Sequence, residues 1–243
     1  MQLTDEEIRA ILIEQKKRKR RKQRIKRRIV SAILLILVLV VGIEIFINRD
    51  AANEPRGVIF IDAGHGGVDG GSSVGDRMEK NDTLTLALNV KKALENQDFK
   101  VVLSRSDDSD VDRGERGKMA NECNAALMVS IHRNKATEGN GVEVYIPSSN
   151  GKESQLLGNN VMKSLVAVGF AERQVRAGTL VTPNDDYLEN SVSSMPSCLV
   201  EVGFLQDKGD NELFDNKQKE IAGAIAEAIS NTYESLFEQT EEE

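Results

Sequence analysis

The sequence predicts an α/β fold, with one sheet covered by helices on both faces and preceded by a single transmembrane helix. Short β-branched runs alternate with segments of helical spacing, which is typical of strands joined through helices. The β-runs are continuously apolar rather than alternating, as expected for strands buried on both sides. A long apolar stretch near the N-terminus is the third observation.

This apolar stretch covers residues 29–47 (IVSAILLILVLVVGIEIFI), and Glu44 is its only charge. At ~1.5 Å per residue, a helix of this length spans about 28 Å, close to the hydrocarbon thickness of a bilayer. We expect a membrane span here rather than a buried core helix. A cleaved signal peptide is the rival interpretation, but no convincing pair of small residues marks a cleavage site.

Residues 1–28 form a basic segment with 12 Lys+Arg and 4 Asp+Glu, in a chain whose net charge is −7. Such a block by itself is compatible with nucleic-acid binding. Directly before an apolar span, it is better explained as a topology signal. The sequence therefore predicts a single-pass protein of the cell membrane, with a cytoplasmic N-terminus, an extracytoplasmic main domain and no nucleic-acid partner.

A polar linker at 48–56 leads into one folded domain at 57–243. Its predicted elements in order are a strand at 58–62, a helix at 81–96, a strand at 100–104, a helix at 112–123, strands at 125–132 and 141–147, a helix at 153–168, a weak strand at 178–182, a strand at 197–204 and a helix at 216–237. Two cysteines, Cys123 and Cys198, make neither a disulfide framework nor a zinc knuckle.

The two histidines of the chain, His65 and His132, both follow apolar runs. Ligand sites in open α/β sheets form beyond the carboxyl ends of the strands, so we expect both histidines at one edge. Neutral imidazole is a common zinc ligand, and a catalytic zinc typically has three protein ligands. Glu79, just ahead of the first helix, is the candidate third ligand, although the helix dipole alone would favour a glutamate there.

Glu201 lies inside the apolar run SCLVEVGF. A carboxylate in a buried strand is costly unless it is paired or has a chemical role. Beside a zinc ion, such a group is suited to act as general base and then as general acid. An exposed edge strand is the alternative, but the apolar residues on both sides favour burial.

Four motifs, DAGHGG, MEK, SIHRN and LVEVGF, resemble in order and spacing those of the zinc-dependent N-acetylmuramoyl-L-alanine amidases, the peptidoglycan amidases of the amidase-3 type. The resemblance runs from about Val58 to Phe237, with weaker matches at VVLSRSDD, RGERGKMAN and ESQLLGNNV. It implies a mixed, mostly parallel six-stranded sheet and a single Zn²⁺. It also implies peptidoglycan as the partner, and hydrolysis of the amide that joins the muramic acid lactyl group to L-alanine.

Carried over by motif, His65, Glu79 and His132 match the zinc ligands, and Glu201 matches the catalytic glutamate. The sequence departs from the family at Arg133, where a small residue is usual, and it lacks the usual basic residue before the Met-Pro pair. Arg133 and its neighbour Asn134 are therefore candidate substrate-binding residues. We expect Arg133 to supply a cation for stem-peptide carboxylates, or else to point into solvent.

Some family members carry a long helix before the glutamate strand that blocks the zinc. Only residues 177–196 are available for it here, so we expect no autoinhibition by this route. Two other functions remain open at this point: a non-catalytic wall-binding or scaffold protein, and a zinc peptidase that cleaves stem peptides. The sequence names no activator protein.

Overall fold

The computed structural model describes residues 17–26, 33–41, 43, 54–149, 151–182 and 185–238. The chain divides into two compact units, Met1–Glu54 and Pro55–Glu243. In the first unit, the described residues 17–26 and 33–41 are helical. The second unit contains the sheet and all the candidate site residues.

The predicted transmembrane helix over 29–47 is wrong. Among the described residues, no helix is both long enough and apolar enough to cross a membrane. Residues 29–32, 42 and 44–47 lie outside the described part of the chain. The membrane anchor inferred from this span is therefore not retained.

The second unit is built on a six-stranded sheet. Its strands are β1 (Val58–Ala63), β4 (Lys100–Leu103), β5 (Leu127–Asn134), β6 (Val142–Ile146), β7 (Glu172–Ala177) and β8 (Ser197–Phe204), while β2 (Ser73–Val74) and β3 (Arg77–Met78) form a separate small hairpin. The order across the sheet is β4-β1-β5-β8-β6-β7. Every neighbouring pair is parallel except β6 and β8. The predicted mixed, mostly parallel six-stranded sheet is confirmed.

Helices cover both faces of this sheet, as predicted. They are α1 (Glu79–Glu95), α2 (Arg113–Glu122), α3 (Gly151–Val168), α4 (Leu188–Val192), α5 (Lys208–Asn216) and α6 (Gln218–Tyr233), and a π-helical turn (Glu234–Glu238) follows α6. Ile59 and Ile61 of β1 face the larger core with α1, α3 and α6. Phe60, between them, packs on the other face against Ala120 of α2. This alternation is why the central strands are apolar throughout.

The weak strand predicted at 178–182 is wrong; the edge strand is β7, which ends at Ala177. Its sequence, ERQVRA, is mostly polar, because an edge strand has one partner and faces solvent. The apolar Leu180 and Val181 instead lie exposed in the loop that follows β7. Hydropathy here marked a loop beside the strand rather than the strand itself.

The topology brings three strand ends together. β1, β5 and β8 are adjacent and parallel, so their carboxyl ends open at one edge of the sheet. Register places Asp62 beside Ser130, and His132 beside Glu201. The register shifts between His132 and Asn134 where the strands separate. Residues that are distant in sequence therefore meet where parallel α/β sheets form ligand sites.

Candidate metal centre

His65 is held in an unusual backbone conformation by two buried arginines. Its φ of 61° lies in the left-handed region, which non-glycine residues rarely adopt. Arg116 donates to the His65 carbonyl, and Arg105 donates to the carbonyls of Ala63 and Gly64. The imidazole Nδ1 lies 2.7 Å from Asp69 Oδ2, which fixes the ring orientation and directs Nε2 toward Glu79.

Glu79 begins α1 and is almost completely buried. Its Oε1 accepts from the backbone N–H of Arg133 and lies 3.0 Å from His132 Nδ1 and 3.2 Å from His65 Nε2. Its Oε2 accepts from the Ser72 N–H. Burial opposes the charge of Glu79, but the hydrogen bonds from both histidines outweigh burial and hold the pKa far below its ordinary value. This glutamate therefore does more than favour a helix N-terminus.

His132 ends the apolar run of β5 and is buried. Its Nδ1 faces Glu79, while its Nε2 is buried and has no hydrogen-bond partner among the described residues. Burial disfavours the imidazolium, but the Glu79 hydrogen bond and the charges of Glu79 and Glu201 raise the pKa of His132. A buried side-chain nitrogen without a partner is uncommon in native structures.

One potential ligand atom each from His65, Glu79 and His132 lies within 4.8 Å of the other two. The three predicted ligands therefore converge, with two nitrogens and one carboxylate oxygen in the donor set. Imidazole nitrogens and carboxylate oxygens are the donor types that would hold a zinc ion. Among the described residues, this trio is the cluster of histidine, cysteine and carboxylate groups that fits a metal ion.

Glu201 projects from β8 beside His132. Its Oε2 is buried and accepts no hydrogen bond from the described residues. Burial raises the pKa of this carboxyl well above its ordinary value. The charge of His132 acts to lower the pKa, but the nearby charges of Glu79 and Glu143 reinforce the effect of burial. A carboxyl group with an unused oxygen and a raised pKa is suited to proton transfer near neutral pH.

Arg133 has a different place from the predicted one. Its side chain is 1% exposed, and the guanidinium donates to Asp82 and Asn211 and lies 4.1 Å from the centre of the Phe214 ring. Arg133 therefore does not point into solvent, and its role in binding a stem-peptide carboxylate stays a prediction. Its observed role is to connect α1 with α5 behind the site.

Asn134 is half-buried at the wall of the cleft. Its amide nitrogen donates to Glu143, and its side-chain oxygen accepts from the backbone N–H of Lys135. Both ends of the side chain thus have protein partners. Its role as a substrate contact stays a prediction.

The candidate ligands open into a cleft of about 470 Å³. Sequence reasoning did not single out several residues of its wall, among them Arg113, Tyr187 and Glu189. The last two lie in the 177–196 segment, whose described helix, α4, is only five residues long. A larger groove of about 860 Å³ lies elsewhere, between α3 and α6, but its lining contains no histidine or cysteine. The cleft is therefore the candidate functional site.

We expect Gly64→Ala to weaken metal binding about 10- to 100-fold, the range seen when groups that orient metal ligands are lost. A methyl group on Gly64 would lie 2.4 Å from Cε1 of His132, so the ring would have to move. Gly70→Ala, in the same loop, is the matched control, because its methyl group would meet only Met78 Sδ at 3.8 Å. Competition with a chromophoric chelator measures both affinities, and equal values would contradict this prediction.

Converging imidazoles and a buried glutamate, with a second glutamate left free to exchange a proton, define the class of metal-dependent hydrolases. Residues 59–231 match the family described as N-acetylmuramoyl-L-alanine amidase. The chain belongs to this family. It is accordingly an enzyme that hydrolyses amide bonds of peptidoglycan.

Named relatives agree with this membership. The chain is 33% identical over 183 residues to the sporulation-specific N-acetylmuramoyl-L-alanine amidase of Bacillus subtilis, covering 74% of this chain and 68% of the relative. It is 35% identical over 182 residues to the N-acetylmuramoyl-L-alanine amidase CwlM of Bacillus licheniformis, with the same coverage of 74% and 68%. The crystal structure of an N-acetylmuramoyl-L-alanine amidase from Clostridium difficile 630 superposes with a TM-score of 0.67 at 29% identity, covering 74% of this chain and 97% of that one.

Proposed function

We propose that this chain cleaves the amide between the lactyl group of N-acetylmuramic acid and L-alanine of the stem peptide, using one zinc ion held by His65, Glu79 and His132. The observation that carries this proposal is the convergence of these three side chains beside Glu201. Family membership supports the choice of bond.

The donor set fits zinc. Two imidazole nitrogens and one carboxylate oxygen, with a further position open, form the ligand pattern of catalytic zinc sites. His65 Nε2 and His132 Nδ1 lie 3.2 and 3.0 Å from the same oxygen of Glu79, so these three atoms are the ones that such an ion would join. Asp69, bound to His65 Nδ1, is the outer carboxylate that commonly orients a ligating histidine.

Each part of the proposed reaction is assigned to particular residues of the chain. When bound, zinc supplies Lewis acidity, which polarises the scissile carbonyl and makes water a stronger acid. The Glu201 carboxylate, which lines the cleft, accepts a proton from the attacking water and passes this proton to the nitrogen of the departing L-alanine. Arg105 and Arg116 donate hydrogen bonds to three backbone carbonyls at residues 63–65, and these bonds keep His65 in place during the reaction.

Peptidoglycan lies outside the cytoplasmic membrane, so we place the catalytic domain there. This proposal rests on the substrate and not on the first 54 residues.

Metal removal tests the function directly. We expect the full chain to bind one zinc ion per molecule, to release peptides with a free L-alanine amine from purified peptidoglycan, and to lose this activity on chelation and regain it with added zinc. Elemental analysis and mass spectrometry give the two readouts. His132→Ala should lose both zinc and activity.

Each other outcome selects a different function. Cleavage within the stem peptide would replace the amidase with a zinc peptidase. A chain that binds zinc and peptidoglycan but releases nothing would indicate a non-catalytic wall-binding protein. Activity that persists after complete metal removal would overturn the proposed zinc site.

A further inference from the structure

The cleft wall carries more negative charge than the proposed chemistry uses. Besides Glu79 and Glu201, the carboxylates of Asp69 and Glu189 line it. A stem peptide has carboxylates of its own, and like charges repel strongly where water is partly excluded. A cation with an unused donor that faces the cleft is therefore the group to look for.

Three cationic residues line the cleft: Arg113, Arg133 and Lys135. The Arg133 guanidinium is buried and binds Asp82 and Asn211 through Nη1 and Nη2, and its Nε, which has no partner among the described residues, is closed off from the cleft solvent. Lys135 donates to the carbonyl of Ser73 and is otherwise a flexible, strongly hydrated point charge. Arg113 combines a rigid, planar donor group with solvent access, because its side chain is 52% exposed.

Arg113 is held by a carboxylate that cannot reach water. Its Nε and Nη2 lie 3.0 and 3.3 Å from the two carboxylate oxygens of Glu189, whose side chain is 1% exposed. Its Nη1 makes no hydrogen bond with the residues that the structure describes. Glu189 thus fixes the plane of the guanidinium and leaves one edge of the fork available, the geometry in which arginine recognises carboxylates.

Arg113 lines the same cleft as His65 and Asp69. The Glu189 hydrogen bond raises the pKa of Arg113 above its ordinary value, with smaller contributions from Tyr187 and Asp69, which line the same cleft. Asp69 is also the partner of His65 Nδ1. A peptide whose scissile amide lies at His65 and His132 would extend along the cleft wall that Arg113 lines.

We propose that Arg113 is a specificity-determining residue that binds a free carboxylate of the stem peptide, and that Glu189 is the residue that positions it. This inference rests on the proposed function, because it assumes that a stem peptide occupies the cleft. It assigns to Arg113 the recognition that the sequence had suggested for Arg133. It also explains why a buried carboxylate lies on the short helix α4.

Binding measurements test this proposal without turnover. The ligands are two muramoyl peptides that differ only at the residue after L-alanine, which carries either a free carboxylate or a carboxamide. Calorimetry uses the full chain with Glu201→Gln and bound zinc. We expect the acid to bind more tightly than the amide, and Arg113→Met to weaken acid binding about 10- to 100-fold while amide binding changes little.

Three further variants separate recognition from structure. Lys118→Met, an exposed position on the same helix α2, should keep the preference for the acid. Arg113→Lys should keep part of the preference for the acid, since lysine supplies the positive charge but not the planar donor group of arginine. Glu189→Gln should lower acid affinity more than amide affinity, because the guanidinium loses its fixed plane.

Equal losses for both ligands in Arg113→Met, together with a lower unfolding temperature, would show that the ion pair only joins α2 to α4 and would overturn the proposal. Unchanged affinity for the acid would overturn it as well. Neither result depends on amide hydrolysis, so failure of the proposed reaction in the wild-type chain would be seen separately, in the peptide-release assay.

Discussion

Replacing Glu201 with glutamine lowers kcat for amide hydrolysis by about 10²- to 10⁴-fold, the contribution typical of a positioned general acid–base group. Glutamine keeps the size and polarity of the side chain on β8 but cannot accept the proton of water at neutral pH. Peptide release measured by mass spectrometry gives kcat. Zinc content should stay at the wild-type level, because the three proposed ligands are unaltered.

Glu143→Gln is the matched comparison. Glu143 lies opposite Glu201 in the antiparallel pair of β6 and β8, but its carboxylate accepts hydrogen bonds from Asn134, Tyr145 and Arg173. We expect this change to reduce stability and to alter kcat far less than Glu201→Gln does. If both variants lost the same share of kcat, Glu201 would have no special role in proton transfer.

The sequence was informative where a motif marks the end of a central strand. DAGHGG and SIHRN each follow a continuous apolar run, and parallel strands bring their carboxyl ends to one edge. Their proximity to Glu79 in the structure follows from the first helix returning beside β1. Helix and strand positions in the core were predictable for the same reason, because apolar periodicity reports burial directly.

Contacts between residues that are distant in sequence account for the features of the site that the sequence could not predict. Arg133 follows the second histidine directly, yet the position of its side chain depends on Asp82, Asn211 and Phe214, which belong to two helices. The pairing of Arg113 with Glu189 joins residues 76 positions apart. Hydropathy also cannot identify an edge strand such as β7, whose solvent-facing residues resemble those of a loop.

The second large effect concerns stability. We expect Arg116→Met to lower the free energy of unfolding by about 3–5 kcal/mol, as when one partner of a buried ion pair is removed. Arg116 makes five hydrogen bonds: two from Nη1, to Asp62 and the Ala63 carbonyl, one from Nη2 to the His65 carbonyl, and one each from Nε and Nη2 to the Val111 carbonyl. Methionine fills similar space but removes the donor from Asp62 Oδ1 and from the carbonyls of His65 and Val111, while the Ala63 carbonyl keeps its bond from Arg105.

Asp62 is the reason that the effect is large. It is fully buried, and its other oxygen accepts from Ser130. Burial acts to raise the pKa of Asp62, but the charge of Arg116, together with smaller contributions from His132 and from the hydrogen bonds of two serines, outweighs burial and lowers it. A lowered folded pKa means that the pair stabilises the fold above the unfolded value of about 3.9, and that this contribution is lost as the pH falls through the folded pKa. The loss caused by Arg116→Met should therefore be larger at pH 7 than at pH 3.

Urea unfolding at both pH values measures the loss, with Lys118→Met on the same helix as the control, expected within about 0.5 kcal/mol of wild type. The Asp62→Ala, Arg116→Met double variant completes the test. Removing both charges leaves no unpaired ion, so the double variant should lose less than the sum of the two single losses. Additive losses would show that the carbonyls, and not the charge of Asp62, are the main partners of Arg116. In either case Arg116 holds the backbone of His65, so the loss of stability should be accompanied by weaker zinc binding.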